Sequence, residues 1–289
     1  MRVVFLGTPE AAVPTLRGLV EARHDVELVI TRPDRRRGRG SDLVASPVKS
    51  AALELGLRVG YRLADIDDVD VELGVVVAFG AIIPASTLTR VPMLNVHFSL
   101  LPRWRGAAPV QRAILAGDEE TGVSIISLEA TLDTGPIHVQ RRVPIGEKTV
   151  QELTKELSEI GSVALLDVLA STELLALSSV QSGEVTYAEK LSKETFRLAS
   201  TSSDHFLRTV RLGGAYLFID AKRLSVIAAN PSMAPVAEGV VTRVDGEVVL
   251  GTRDGAVAIG EVRPEGSRTM SALAWWAGRR DTDRQRTWS

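Results

Sequence analysis

The chain has 289 residues, 45% hydrophobic and 24% charged, with 34 Lys+Arg against 36 Asp+Glu and no cysteine. That composition is that of an ordinary globular protein, not a fibrous or disordered one, and the length suggests two domains. Without Cys there is no thiol nucleophile, thiolate zinc site, iron–sulfur cluster or disulfide framework. No stretch approaches about twenty unbroken apolar residues, so a soluble, cytoplasmic protein without membrane contact is expected.

Residues 3–6 form a short apolar run stopped by Gly7-Thr8-Pro9, the pattern of a buried parallel strand ending in a turn. From 10 to 21, Val13, Leu16, Leu19 and Val20 share one helical face. Strands are predicted over 26–30 and 73–79, with a helix over 45–55 between them. A short strand over 94–97 leads to a helix over 110–116, and further strands follow at 123–128 and 137–143. This alternation predicts an α/β fold, a mostly parallel sheet with helices on both faces. Residues 150–180 are helix-rich, with Leu153, Leu157, Ile160 and Ala164 at helical spacing. Beyond about residue 205 the pattern turns to short strands over 216–220, 223–228, 239–244, 248–252 and 257–262. Asp245-Gly246 and Asp254-Gly255 are hairpin signals between them, and a small β-barrel is expected. The predicted organisation is an α/β domain over 1–189, a linker over 190–204 and the barrel over 205–289.

The near-neutral total conceals an asymmetry. Residues 1–189 carry 19 Lys+Arg against 25 Asp+Glu, and residues 190–289 carry 15 against 11. Within the acidic part, residues 31–49 hold Arg32, Arg35, Arg36, Arg37, Arg39 and Lys49 against only Asp34 and Asp42. Arginines this dense, interleaved with Gly38 and Gly40, suggest a polyanionic partner.

Ligands of an open α/β sheet bind at the carboxyl ends of its strands. Gly7-Thr8-Pro9 follows the first strand, but neither a Gly-x-Gly-x-x-Gly nor a Walker lysine loop is present. The informative segment is Asn95-Val96-His97-Phe98-Ser99-Leu100-Leu101-Pro102-Arg103-Trp104-Arg105-Gly106. On a strand, Asn95 and His97 point to the same face. Leu132-Asp133-Thr134-Gly135 falls between two apolar strands, and a lone Asp-Thr-Gly cannot make an aspartic-protease dyad, which needs two. An amide, an imidazole and a carboxylate together suit acyl-type transfer to an amine. The amide donates to a developing oxyanion, the imidazole polarises the carbonyl or moves protons, and the carboxylate orients the imidazole or a water.

The run 95–112, with Gly117-Asp118-Glu119-Glu120-Thr121-Gly122-Val123, Leu132-Asp133-Thr134-Gly135 and the opening Val3-Val4-Phe5-Leu6-Gly7-Thr8-Pro9-Glu10, closely resembles the methionyl-tRNA formyltransferase family. The arginine-rich segment resembles that family's inserted loop, and Thr186-Tyr187-Ala188-Glu189-Lys190-Leu191 its linker. The resemblance is dense through residue 191 and sparse beyond. It implies a Rossmann-like formyltransferase domain followed by an OB-like barrel. It further implies transfer of the formyl group of 10-formyltetrahydrofolate to methionine on initiator methionyl-tRNA, in translation initiation, by a monomer needing no metal. By that resemblance Asn95, His97 and Asp133 are catalytic and Ser99, Leu100, Leu101 and Pro102 bind the folate co-substrate. Arg35, Arg36, Arg37 and Arg39 would bind tRNA. The alternative is a formyltransferase of the same superfamily acting on a small amine.

Overall fold

The computed structural model describes residues 1–36, 43–278 and 286–288. The chain groups into two compact units. One comprises Met1–Ala113, Glu119–Gly146 and Glu152–Lys190; the other comprises Ile114–Asp118, Glu147–Gln151 and Leu191–Ser289.

In the first unit, seven strands make one sheet: β1 (Arg2–Gly7), β2 (Asp25–Ile30), β3 (Val59–Gly60), β4 (Leu73–Val77), β5 (Met93–His97), β6 (Glu120–Ser127) and β7 (Ile137–Pro144). Their order is β7-β6-β5-β4-β1-β2-β3. Both β4 and β5 are buried at every position, as strands covered on two faces must be. From β3 across to β5 all pairings are parallel, whereas β6 runs antiparallel to both neighbours. The sheet is thus the mostly parallel one anticipated. Residues 128–136 are too few for a crossover helix, so β6 and β7 are joined as a hairpin. The chain steps outward from β1 to β3 and returns to β4 on the other side of β1, the switch that opens a ligand crevice in such sheets.

The flanking helices are α1 (Val13–Glu21), α2 (Pro47–Glu54), α3 (Ala85–Arg90), α4 (Pro109–Ala116) and α5 (Val150–Ala170). One apolar cluster joins Val4, Leu6, Leu28, Ile30, Val76 and Met93, alternate positions of the central strands, to Phe79, Ile83 and Val91. The 21 residues of α5 span about 30 Å, and Ser162 on it donates to the carbonyl of Pro14 at 3.1 Å. The helix-rich stretch breaks after Ala170, where Ser171 caps a short helix α6 (Thr172–Ala176) by accepting from the Leu174 N–H. The six-residue α3 is too short to leave a periodic signature in sequence.

The second unit contains α7 (Ser203–Arg211), β8 (Tyr216–Ile219), β9 (Lys222–Ser232), β10 (Val240–Val244), β11 (Glu247–Gly251), β12 (Ala256–Pro264), β13 (Met270–Ser271), α8 (Ala272–Ala277) and β14 (Arg286–Thr287). All pairings are antiparallel, in the order β8-β9-β12-β11-β10-β14, with β13 added on β12. A bridge between Ile219, at the end of β8, and Trp288, just after β14, brings the two edges together. The expected small barrel is therefore a sheet curled on itself. Trp288 is buried, meets Phe206 edge to face at 5.9 Å and donates its indole N–H to the Gly251 carbonyl at 3.1 Å. Around them pack Leu217, Leu224, Val241, Val248, Leu250 and Val257.

Helix α7 lies partly in the stretch read from sequence as linker. Ser202 caps it by accepting from the His205 N–H, Asp204 lies in the first turn, and Arg208 and Arg211 lie in the last. These placements complement the helix dipole.

Trp288→Ala should destabilise the second unit by about 3–5 kcal/mol, seen as an earlier urea transition. Trp288→Phe, which keeps a ring against Phe206 but loses part of the indole's buried volume and its bond to Gly251, should cost about 1–3 kcal/mol. Equal losses would mean that the ring contact with Phe206 contributes nothing and that the bicyclic part of the indole, with its hydrogen bond, secures the two edges.

Candidate active site

Strand β5 reads Met-Leu-Asn-Val-His, so the pleat sends Asn95 and His97 to the same face. Asn95 sits between Val76 of β4 and Ile126 of β6, and His97 stands opposite Ser124. Asn95, His97 and Asp133 are all buried. The Nε2 of His97 lies 2.9 Å from the carbonyl of Trp104. A carbonyl only accepts, so Nε2 carries a proton and donates it. The Nδ1 faces Asp133, whose Oδ2 is 3.7 Å away. That same Oδ2 accepts the Gly106 N–H at 2.8 Å. Among the described residues no group hydrogen-bonds the side-chain amide of Asn95, which remains available to a substrate.

The loop after β5 is fixed from within. Ser99 Oγ donates to the Arg103 carbonyl at 2.6 Å. Ser124 Oγ donates to the Ser99 carbonyl at 2.7 Å and accepts the Leu101 N–H at 3.1 Å. Gln140 Nε2 donates to Ser124 Oγ at 2.8 Å and to the Leu101 carbonyl at 3.0 Å. Ser99, Leu101 and Pro102 are buried, and Leu100 is half-buried.

A distant segment then straps the loop. Arg105–Gly106 pairs in parallel with Tyr187–Ala188. The Trp104 N–H donates to Thr186 Oγ1 and the Arg105 N–H to the Thr186 carbonyl, both at 2.9 Å. Gly106 is compulsory: its φ is +121°, and a Cβ there would stand 2.9 Å from the Ala188 carbonyl oxygen.

Of the four candidate arginines, Arg35 and Arg36 form a two-residue strand paired with Leu43–Val44, and both are exposed. Arg37 and Arg39 lie outside the described residues. Below the pair the segment is clamped. Thr31 and Ser46 hydroxyls meet at 2.8 Å in a buried contact, and Lys49 Nζ donates to both Asp34 oxygens at 2.8 and 2.7 Å. The Asp34 carboxylate, followed by Tyr61, raises the Lys49 pKa above its ordinary value.

The structure thus brings Asn95, His97 and Asp133 together beside the 99–102 loop. Sequence reasoning missed the backbone groups of Trp104 and Gly106 that engage His97 and Asp133, and missed Ser124, Gln140 and Gln181. Among the described residues, no group of three or more His, Cys, Asp or Glu side chains is gathered to hold a metal. No described helix is long and apolar enough to cross a membrane.

A mixed α/β unit with this polar set at the end of a central strand, followed by a curled antiparallel unit, is the plan of a formyl-group transferase. The formyl transferase family model matches residues 1–169, and that of the formyl transferase C-terminal domain matches 204–280. A methionyl-tRNA formyltransferase of Jannaschia sp. (strain CCS1) is 39% identical over 300 residues, 97% of each chain. That of Thiobacillus denitrificans is 40% identical over 299 residues, 96% of this chain and 97% of its own. Among solved structures, HypX from Aquifex aeolicus in complex with tetrahydrofolic acid shares the fold. Its TM-score is 0.67 at 18% identity, covering 95% of this chain and 46% of that one. The chain belongs to the formyl transferase family and, within it, to the methionyl-tRNA formyltransferases.

A Cβ added at Gly135 would stand 1.8 Å from the Ser127 carbonyl oxygen, so Gly135→Ala must displace the turn that carries Asp133. Turnover should fall by about tenfold or more while the folded state persists by circular dichroism. Undiminished turnover would show that the placement of this turn is immaterial.

Proposed function

We propose that this enzyme transfers the formyl group of 10-formyltetrahydrofolate to the amino group of methionine on initiator methionyl-tRNA. The buried juxtaposition of His97 and Asp133 beside the unengaged Asn95 amide carries the reading of the chemistry. The naming of relatives matching nearly the whole chain supports the acceptor.

The uncharged amine attacks the formyl carbon, and the bond to the folate nitrogen breaks as the new amide forms. Charge accumulates on the formyl oxygen, where the Asn95 amide donates a hydrogen bond at the cost of no competing partner. In neutral His97 the Trp104 carbonyl fixes the proton on Nε2, leaving the Nδ1 lone pair as the base. Nδ1 takes the proton released by the amine and becomes part of an imidazolium. Its two N–H groups then face the Trp104 carbonyl and the Asp133 carboxylate. The 3.7 Å separation to Asp133 is longer than a direct hydrogen bond and suits a tightening, or a bridging water, as charge develops. The proton is finally delivered to the departing folate nitrogen, so no nucleophile of the enzyme's own and no metal takes part.

In this reading Ser99, Leu100, Leu101 and Pro102 bind the folate. Arg35, Arg36, Arg37 and Arg39 meet tRNA phosphates, and the second unit adds further tRNA contact. The enzyme acts as a cytoplasmic monomer.

Formyl transfer from 10-formyltetrahydrofolate to charged initiator tRNA, with free methionine and uncharged tRNA as controls, tests the whole reading. Within that assay, Asp133→Asn should lower kcat by on the order of 100-fold or more with folate affinity unchanged; full activity would remove Asp133 from the catalytic set. The pair Arg35→Glu and Arg36→Glu should raise KM for tRNA and flatten its salt dependence by close to one unit of slope per lost phosphate contact. An equal rise in KM for the folate donor would count against a tRNA-specific role.

A further inference from the structure

Gln181 lies on the strap, outside every motif that carries the family resemblance, and its side-chain amide is saturated. Nε2 donates to the carbonyl of Asp133 at 2.7 Å and to that of Gly135 at 2.9 Å. Oε1 accepts from Arg105 Nε at 3.0 Å and Nη2 at 2.6 Å. The neighbours leave no choice of orientation. A guanidinium only donates and backbone carbonyls only accept, so the reversed amide would oppose like groups at both ends.

We propose that Gln181 is a positioning residue for Asp133, holding the turn in the one conformation that presents Oδ2 to His97 Nδ1. This rests on the catalytic role proposed above for Asp133. Backbone bonds hold the two ends of the turn, Ser127 N–H to the Pro136 carbonyl and Leu128 N–H to the Met93 carbonyl, but neither of them fixes the peptide groups of Asp133 itself. Asp133 has φ +51°, a left-handed conformation that aspartate adopts more readily than most non-glycine residues but that competes with extended and right-handed alternatives. The adjacent Leu132 is 58% exposed, so apolar packing does not secure the turn. Inside it the Thr134 hydroxyl meets the Thr131 hydroxyl and donates to the Glu129 carboxylate at 3.1 Å.

The anchors from outside are the Gly106 N–H on the Asp133 carboxylate and Gln181 on the backbone. One NH2 group bridging carbonyls two residues apart selects a single turn geometry, since each of its hydrogens is committed to one oxygen. Arg105 adds charge to the other end of the amide, which polarises the N–H bonds and strengthens them as donors. The strand pairing that seats Gly106 against Ala188 also carries Arg105, so both anchors of Asp133 derive from the same ladder.

The test compares Gln181→Met, Gln181→Glu and each combined with Asp133→Asn, using methionyl initiator tRNA and 10-formyltetrahydrofolate. Gln181→Met keeps length but loses the amide. It should lower kcat by on the order of 10- to 100-fold, with both KM values within about twofold. Gln181→Glu retains an acceptor for Arg105 but sets an oxygen against two carbonyls. It should show the same kcat loss with the thermal midpoint preserved, which a loss of general stability would not produce. In the Asp133→Asn background either change should alter kcat by less than about twofold, because the positioned group is gone. Equal losses in both backgrounds, or wild-type kcat in both Gln181 variants, would overturn the inference while leaving Asp133 catalytic. Full activity of Asp133→Asn alone would instead overturn the catalytic reading on which the inference stands.

Discussion

A two-residue ladder, Arg105–Gly106 against Tyr187–Ala188, joins parts of the chain far apart in sequence; Thr186 lies 82 positions beyond Trp104. Closing such a loop costs entropy that grows only slowly with length, and here the closure organises the contacts of His97 and Asp133. Thr186 fixes Trp104, whose carbonyl orients His97. The seated Gly106 offers its N–H to Asp133. The same strap brings Gln181 to the turn. The contacts of His97 and Asp133 are therefore supplied largely by backbone groups that a distant segment immobilises.

Two buried polar side chains on one strand face are treated in opposite ways. His97 is held by a backbone acceptor that decides which ring nitrogen bears the proton. Asn95 is buried without any internal bond among the described residues. Among the described residues the enclosed polar side-chain atoms without a partner are those of Thr8, Thr15, His24 and Thr121, so the Asn95 amide, which is not one of them, keeps access to solvent. On this strand face the internal hydrogen bond goes to the imidazole, whose tautomer it sets, and the amide is left open.

Much of this was legible from sequence, for separable reasons. The apolar runs ending at Gly7, Ile30, Val77 and His97 gave the central strands, because strands buried on both faces need continuous apolar residues. The Asn-x-His spacing placed two polar groups on one face, and the structure keeps them there. The antiparallel turn of β6 was not legible, since strand direction depends on the connection and not on the residues of the strand. Helix α7 was hidden in a polar stretch although its cap, Ser202, stood in plain view. The contacts of Trp104, Gly106 and Gln181 had no signal at all: two act through backbone atoms, and a glutamine carries no motif.

The arginine-bearing segment leaves the sheet after β2 and returns at α2, and its two ends are tied by Thr31 with Ser46 and by Asp34 with Lys49. Above those ties Arg35, Arg36, Leu43 and Val44 are all exposed, so these four residues add nothing to the core. A change of charge at those exposed positions is felt first by whatever approaches from solvent, and the packing of the sheet beneath is spared.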